Sequence, residues 1–142
     1  MFRLTNATSY FELELLRDES DSDSANGYPS VLFRAATSSN GFRGESEAWV
    51  FTEHLEKFCE SIVSLNDLLK GEASLDSLSP NELSVKLASV NSRGYLGVSG
   101  QIGNHVFTEN SDYWHSISFG FEFEPAQLQG AIRAPWITRY AG

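Results

Sequence analysis

The sequence is poor in the residues that cross-links, membrane spans and nucleic-acid surfaces require. It contains one cysteine, Cys59, so no disulfide can form within the chain. No stretch reaches the roughly 18 consecutive apolar residues of a transmembrane helix, so no membrane association is expected. Lysine and arginine number 10 against 19 aspartates and glutamates, which leaves a net charge of −9. Because such a surface repels phosphates, nucleic acid is not expected as a direct partner.

Motifs that assemble catalytic groups or ligands are also missing. His54, His105 and His115 have no metal-ligand spacing with one another or with Cys59. There is no glycine-rich phosphate loop and no G-x-S-x-G nucleophile turn. Cys59 falls in the apolar stripe of a predicted helix, which is typical of a core residue. We therefore expect a protein that is not an enzyme and that has no catalytic residue, cofactor or metal site.

Length and the N-terminal segment indicate the organisation of the chain. At 142 residues with 41% hydrophobic content, the sequence predicts a single domain, residues 1–142. The first residues, MFRLTNATSYFELELL, show no basic start followed by an unbroken apolar run. This segment predicts no signal peptide, and hence a cytoplasmic location.

Alternation of apolar and polar residues, the pattern of half-buried strands, is abundant. It predicts six strands: Tyr10–Arg17, Tyr28–Ala36, Phe42–Phe51, Leu83–Val90, Tyr95–Ile102 and Tyr113–Glu124. One wet face and one dry face on each strand favour antiparallel pairing. The segments Ser38–Gly41 and Asn91–Gly94 have the composition of turns between such strands.

Two helices complete the predicted fold. Between the third and fourth strands, apolar residues recur every three or four positions, which predicts a helix from about Glu53 to Leu69. Thr52 is the predicted N-cap, and Gly71 the predicted left-handed end. A short helix is predicted from Pro125 to Arg133. The predicted class is α+β: an antiparallel sheet of about six strands, with the long helix on its apolar face and the short C-terminal helix, in the order β-β-β-α-β-β-β-α.

Acidic residues concentrate in the loop after the first strand and at outward positions of the strands. If the strands are neighbours, these positions form an acidic slab that contains few bases, namely Arg34, Arg43 and Lys86. A basic protein is the partner that such a slab would attract. The alternative is a solvated surface that serves solubility. The residues predicted to contact a partner are Glu12, Glu14, Asp18, Glu19, Asp21, Asp23, Glu45, Glu47, Glu122 and Glu124.

Three groups of segments resemble a known family: GFRGESEAWV, HLEKFCESIVSL and LKGEASL; then ELSVKL and RGYLGVSGQI; then HSISFGFEFEPAQL. They resemble the WapI-type immunity proteins of bacteria and related uncharacterised small domains, over roughly Tyr28 to Leu128. The resemblance implies a protein that neutralises a toxin by binding it, without catalysis. Such toxins are often nucleases, whose basic clefts an acidic surface would fit. The matching positions are Gly41, Phe42, Gly44, Trp49, Leu55, Phe58, Gly71, Ala73, Leu75, Gly94, Val98, Gly100, Phe121 and Phe123.

Two other functions remain open on the sequence. One is a small-ligand-binding domain or weak enzyme, with a pocket between helix and sheet lined by Tyr113, Trp114, His115 and Trp136. The other is a structural domain that self-associates through an exposed strand edge. The sequence leaves the oligomeric state undetermined.

Overall fold

The computed structural model describes residues 1–20 and 29–142, which form eight strands and three helices. The strands divide into two four-stranded antiparallel sheets, in which strands adjacent in sequence are adjacent in space. Sheet A consists of β1 (Phe2–Asn6), β2 (Ser9–Glu19), β3 (Ser30–Ser39) and β4 (Phe42–Phe51). Sheet B consists of β5 (Glu72–Asp76), β6 (Leu83–Ser89), β7 (Leu96–Phe107) and β8 (Asp112–Phe123). The helices are α1 (Thr52–Leu68), α2 (Pro125–Ala131) and α3 (Pro135–Ala141).

The predicted α+β class and antiparallel pairing are confirmed, but the strands form two sheets instead of one sheet of six. Two edge strands, β1 and β5, were not predicted; each alternates between buried and exposed residues, but over only 5 positions. Helix α1 connects the last strand of sheet A to the first strand of sheet B, so the chain completes one sheet before it begins the other. The predicted C-terminal helix ends at Ala131, and a further helix, α3, begins at Pro135.

The inner faces of both sheets and one side of each helix share a buried hydrophobic cluster. Phe11 of sheet A stacks on Phe119 of sheet B, with ring centroids 5.2 Å apart. Trp136 of α3 packs edge-on against Phe33, with centroids 4.9 Å apart. The predicted stripe of α1 is buried at Leu55, Phe58, Cys59, Ile62 and Leu65. None of the described helices has both the length and the apolar character needed to cross a membrane.

The two ends of α1 differ from the prediction. Phe51, in an extended conformation, is the N-cap; Thr52 is already helical, and its buried hydroxyl has no hydrogen bond to a described residue. At the other end Leu69 adopts the left-handed conformation, with φ of 54°, and its N–H donates to the Leu65 carbonyl at 2.8 Å. Gly71 is left-handed as well, but it lies two residues beyond the cap.

Both predicted turns are confirmed. Asn40 and Gly41 have φ of 53° and 86° and form the two-residue loop between β3 and β4, the geometry that suits the twist of a hairpin. In the turn between β6 and β7, the side-chain oxygen of Asn91 accepts from the N–H groups of Arg93 and Tyr95, at 2.8 and 3.3 Å.

The hairpin of β7 and β8 extends beyond the rest of sheet B. The pairing of β6 with β7 stops at Ile102, whereas β8 pairs with β7 as far as Phe107. At the base of this extension, the Ser46 hydroxyl of β4 donates to the Gly103 carbonyl at 2.7 Å. Residues 104–116, called the ribbon end below, therefore form a two-stranded ribbon that leaves the core.

Candidate functional site

Four of the predicted glutamates do come together on the outward face of sheet A, but three of them contact a cation. In the middle strand, the Nη2 and Nε atoms of Arg34 each lie 3.1 Å from a carboxylate oxygen, of Glu12 and Glu14 respectively. Its Nη1 lies 3.3 Å from Glu45. The hydrogen bond to Glu12 raises the pKa of Arg34, partial burial lowers it, and the hydrogen bond to Glu14 raises it. The resulting pKa lies above its ordinary value. Glu47 lies directly opposite Arg34 on β4 and is exposed.

Three further arginines offset negative charge on this face. Arg3 of β1 pairs with Glu12. The Arg17 guanidinium lies over the Trp49 ring, 5.6 Å from its centroid. Arg43 is exposed at the end of β4. Four outward glutamates thus share the face with four arginines, so it differs from the predicted acidic slab.

A β-bulge separates Asp18 from this face. The register of β2 against β3 shifts between Leu15 and Arg17, which reverses the side to which later residues point. Asp18 consequently pairs with the buried Val31 and shares its side of the sheet. Glu19 forms an ion pair with Arg17, at 2.7 Å.

On its side of the sheet, Asp18 binds the C-terminal helix. The Tyr140 hydroxyl donates to Asp18 Oδ2 at 2.7 Å, and Arg139 Nη2 lies 3.3 Å from the same oxygen. Burial raises the pKa of Asp18, but hydrogen bonds from Ser20 and Tyr140, together with the Arg139 charge, leave this pKa below its ordinary value. Asp18 therefore has a structural role, because it joins β2 to α3.

The remaining predicted acidic residues lie elsewhere. Glu122 is on the outward face of β8, where its main-chain carbonyl accepts from the Asn6 side-chain amide at 2.5 Å. Glu124 immediately precedes α2. Asp21 and Asp23 lie outside the described residues. The structure therefore does not bring all the predicted residues it describes onto one surface.

The excess of carboxylates over cations lies on α1 and on the C-terminal half of sheet B. From Gly94 to Ile132 the chain has no lysine or arginine. That stretch contains the acidic residues Glu109, Asp112, Glu122 and Glu124. On the exposed side of α1, no ion pair to a described residue is formed by Glu53, Glu56, Glu60 or Asp67.

The groups considered for chemistry are not arranged for it. Burial raises the pKa of Cys59 to about 12, with the Glu60 charge adding to the shift, so this thiol is protonated at neutral pH and shielded from solvent. Within residues 1–20 and 29–142, no group of three or more His, Cys, Asp or Glu residues is placed to hold a metal ion.

The pocket of the ligand-binding alternative does not form from its predicted residues. Trp136 is buried in the core at 4% exposure, whereas Tyr113, Trp114 and His115 are exposed on the ribbon end. The described structure does have an open groove of about 770 Å³, between the turn at residues 6–9 and the β7–β8 hairpin. This groove contains none of those four residues.

The comparison with known families decides the classification. A model of the immunity protein WapI-like family matches residues 2–134. This chain belongs to that family. The resemblance predicted from Tyr28 to Leu128 is confirmed, and the match extends it through β1 and β2. No curated protein and no solved structure matches the chain significantly.

Several positions that carried the resemblance to the WapI-like family maintain its fold. A Cβ at Gly100 would overlap the Ser84 carbonyl oxygen of the adjacent strand, and a Cβ at Gly44 would lie 2.5 Å from the Ile117 side chain. Leu55 is fully buried. These residues allow close packing, so they identify the family without indicating where its members bind.

The most exposed large apolar side chains of the ribbon end were not predicted as a site. Phe107 is 75% exposed, Tyr113 55% and Trp114 46%. Phe107 was not among the predicted site residues, and Tyr113 and Trp114 were predicted to line a pocket. Aromatic residues on both faces of one hairpin end, beside the polar turn of residues 108–111, are the signal that could have located them.

Proposed function

We propose that this chain, acting as one domain, is an immunity protein that neutralises a cognate toxin domain by binding it, without catalysis. The match to the immunity protein WapI-like family over residues 2–134 is the observation that carries this proposal. The filled core and the protonated, buried Cys59 thiol support binding over chemistry. The ion-paired outward face of sheet A argues for a partner contact elsewhere.

The partner we propose is a basic toxin domain, such as a nuclease, and the place of action is the cytoplasm. A nuclease needs positive charge to hold its substrate, and a chain with a net charge of −9 would approach it rapidly. Of the acidic residues predicted from the sequence, Glu47, Glu122 and Glu124 keep carboxylates without ion pairs to described residues. Because Glu47 lies on the ion-paired face of sheet A, we assign attraction of the partner to Glu122 and Glu124, and retain Asp21 and Asp23 in the proposal.

Co-expression with the toxin domain encoded by the adjacent gene tests this function. We expect the toxin domain alone to arrest growth, and the toxin domain together with this chain to permit growth. Continued growth arrest when the two are co-expressed, together with no binding between the two purified proteins, would contradict the proposal.

Stoichiometry separates binding from catalysis. If the chain blocks the toxin by occupying it, toxin activity should fall linearly with added protein and vanish near one equivalent. Separation of the two under denaturing conditions, followed by refolding of the toxin, should restore activity. Complete inactivation by a small fraction of an equivalent would show instead that the chain modifies its target.

A further inference from the structure

Aromatic rings are stacked in an ordered cluster at the ribbon end. The ring of His105 lies between those of Phe107 and Trp114, with centroid distances of 4.1 and 4.5 Å, and it is nearly parallel to Trp114 at 12°. His105 Nε2 lies 2.5 Å from Asp112 Oδ2 on the opposite strand. Trp114 also packs over Gly103, where it lies 3.3 Å from the position a Cβ would occupy.

This cluster, His105, Phe107 and Trp114, consists of a half-buried histidine and two exposed rings, and it is held in place. Its members lie on the same outward face of β7 and β8, since His105 pairs directly with Trp114. Large aromatic side chains that are fixed before binding lose little conformational freedom on binding, and they dominate the energetics of protein interfaces. The strand pairing and ring stacking therefore provide a preformed contact that no other part of the described chain covers.

The charge around the cluster indicates the chemistry of its partner. Glu109 lies in the turn that follows Phe107, and Asp112 lies at the start of β8 beside His105. Neither forms an ion pair with a described lysine or arginine, and Arg43 of β4 lies at the other end of the ribbon, near Asn104 and His115. Phosphate groups of nucleic acids and anionic lipids would be repelled by this arrangement. An apolar cleft bordered by lysine and arginine side chains complements both the rings and the carboxylates.

We propose that the ribbon end is the docking element of this chain, and that it inserts its aromatic cluster into an apolar, Lys/Arg-bordered cleft of the toxin domain. The proposal rests on the function proposed above and names the surface that performs it. The outward acidic residues nearer the core, such as Glu122, then contribute mainly to attraction at longer range.

Substitutions at the ribbon end test the docking element, with a control near the opposite end of β7. The probe is the purified toxin domain encoded by the adjacent gene, inactivated at its catalytic residue, and the measurement is its Kd by calorimetry. The variant is Phe107→Ser with Trp114→Ser. The control is Leu68→Ser, which removes a 58% exposed leucine near the β6–β7 turn, at the other end of the strand. We expect the double variant to weaken binding at least about 30-fold and the control to leave Kd within about twofold.

A charge pair tests the basic border of the cleft. Glu109→Lys should reduce the association rate roughly tenfold at low salt, with a smaller reduction at high salt, whereas Glu60→Lys on α1 should change it little. Circular dichroism and thermal unfolding check that each variant is folded.

Each outcome decides a specific point. If the double variant binds the toxin domain as tightly as the wild type does, the proposed docking element is wrong and the proposed function is unaffected. Absence of wild-type binding overturns both. Concentration-dependent dimerisation of the wild type that the double variant abolishes, without loss of toxin binding, would show that the rings pair with a second copy instead.

Discussion

The outward face of sheet A and the ribbon end of sheet B differ in whether their charged and aromatic residues are paired with arginine. On sheet A, Arg34 lies among three glutamates, and Arg17 lies over the only tryptophan on that face, Trp49. On the ribbon end, carboxylates have no arginine or lysine nearby in sequence, and the rings face solvent. Both regions alternate in the same way along their strands, so alternation alone does not distinguish a satisfied surface from an available one.

The difference shows that the position of the few cations determines which surface remains acidic. Four of the ten basic residues, Arg3, Arg17, Arg34 and Arg43, lie on the outward face of sheet A. Their concentration there leaves the negative excess to the rest of the molecule. Counting outward glutamates therefore identifies the wrong face unless the cross-strand neighbours are known.

The largest expected effect comes from the close approach of β6 and β7 that supports the ribbon. Gly100→Ala places a Cβ against the Ser84 carbonyl oxygen and should lower the free energy of unfolding by about 3 kcal/mol. Gly120→Ala on β8 is the matched control, because its nearest neighbouring atom is 3.5 Å away, and it should cost less than about 1 kcal/mol. Chemical denaturation of both variants measures the contrast; equal losses would refute the role of close packing.

A smaller loss is expected when the cation at the centre of sheet A is removed. Arg34→Leu leaves Glu12, which is 9% exposed, with fewer partners, and should destabilise the protein by about 1–2 kcal/mol. Arg43→Leu, at an exposed position without an ion pair to a described residue, should change stability by less than about 0.5 kcal/mol. If urea denaturation gives the two variants the same midpoint, the network contributes nothing to stability.

The contact between Asp18 and α3 should appear as a dependence of stability on pH. Because the pKa of Asp18 is lowered by folding, its contribution is present above the unfolded value, near 3.8, and is lost as the pH falls through the lower folded value. Asp18→Asn should abolish the loss of unfolding free energy that protonation of Asp18 causes at low pH, and Tyr140→Phe should make that loss smaller. Denaturation between about pH 2 and pH 5 measures it; an unchanged pH profile in Asp18→Asn would exclude the linkage.

The smallest effect on stability is expected at the ribbon end. Phe107→Ser exchanges a side chain that is 75% exposed and should change the free energy of unfolding by less than about 0.5 kcal/mol. Thermal unfolding with the wild type as reference checks this value. A loss above about 1 kcal/mol would show that Phe107 supports the fold, which would remove it from the docking surface.

Much of the fold could be predicted because alternation and turn residues act locally. The inward positions of β2, such as Phe11 and Leu13, and the Asn40–Gly41 turn are as predicted. The two-sheet arrangement could not be predicted, since alternation identifies the face of a strand but not its neighbour. Strand β1 alternates over only 5 residues and was not predicted, so the pairing of Arg3 with Glu12 was not predicted either.

The candidate site was harder to predict, because it depends on two non-local events. The bulge between Leu15 and Arg17 shifts Asp18 to the side of α3. The adjacent apolar residues Leu15 and Leu16 break the alternation at this point, but the break does not indicate what Asp18 then contacts. The exposure of Phe107 and Trp114 follows from the end of β6 pairing at Ile102, which is set by a different strand. The family, in contrast, was accessible from sequence, because residues that carried the resemblance, such as Gly100, lie where this fold requires close packing.

The two-stranded character of the ribbon end has a consequence for how the molecule opens. Beyond Ile102, β7 has lost its second neighbour within sheet B, so the amides of residues 104–107 can exchange with solvent without the separation of β6 from β7. Because a two-stranded hairpin has little stability by itself, the closed form of this segment depends on its pairing with β8 and on the stacked rings of His105 and Trp114. A partner bound to this segment should slow the exchange of these amides. Slowed exchange confined to them would show that the partner binds there.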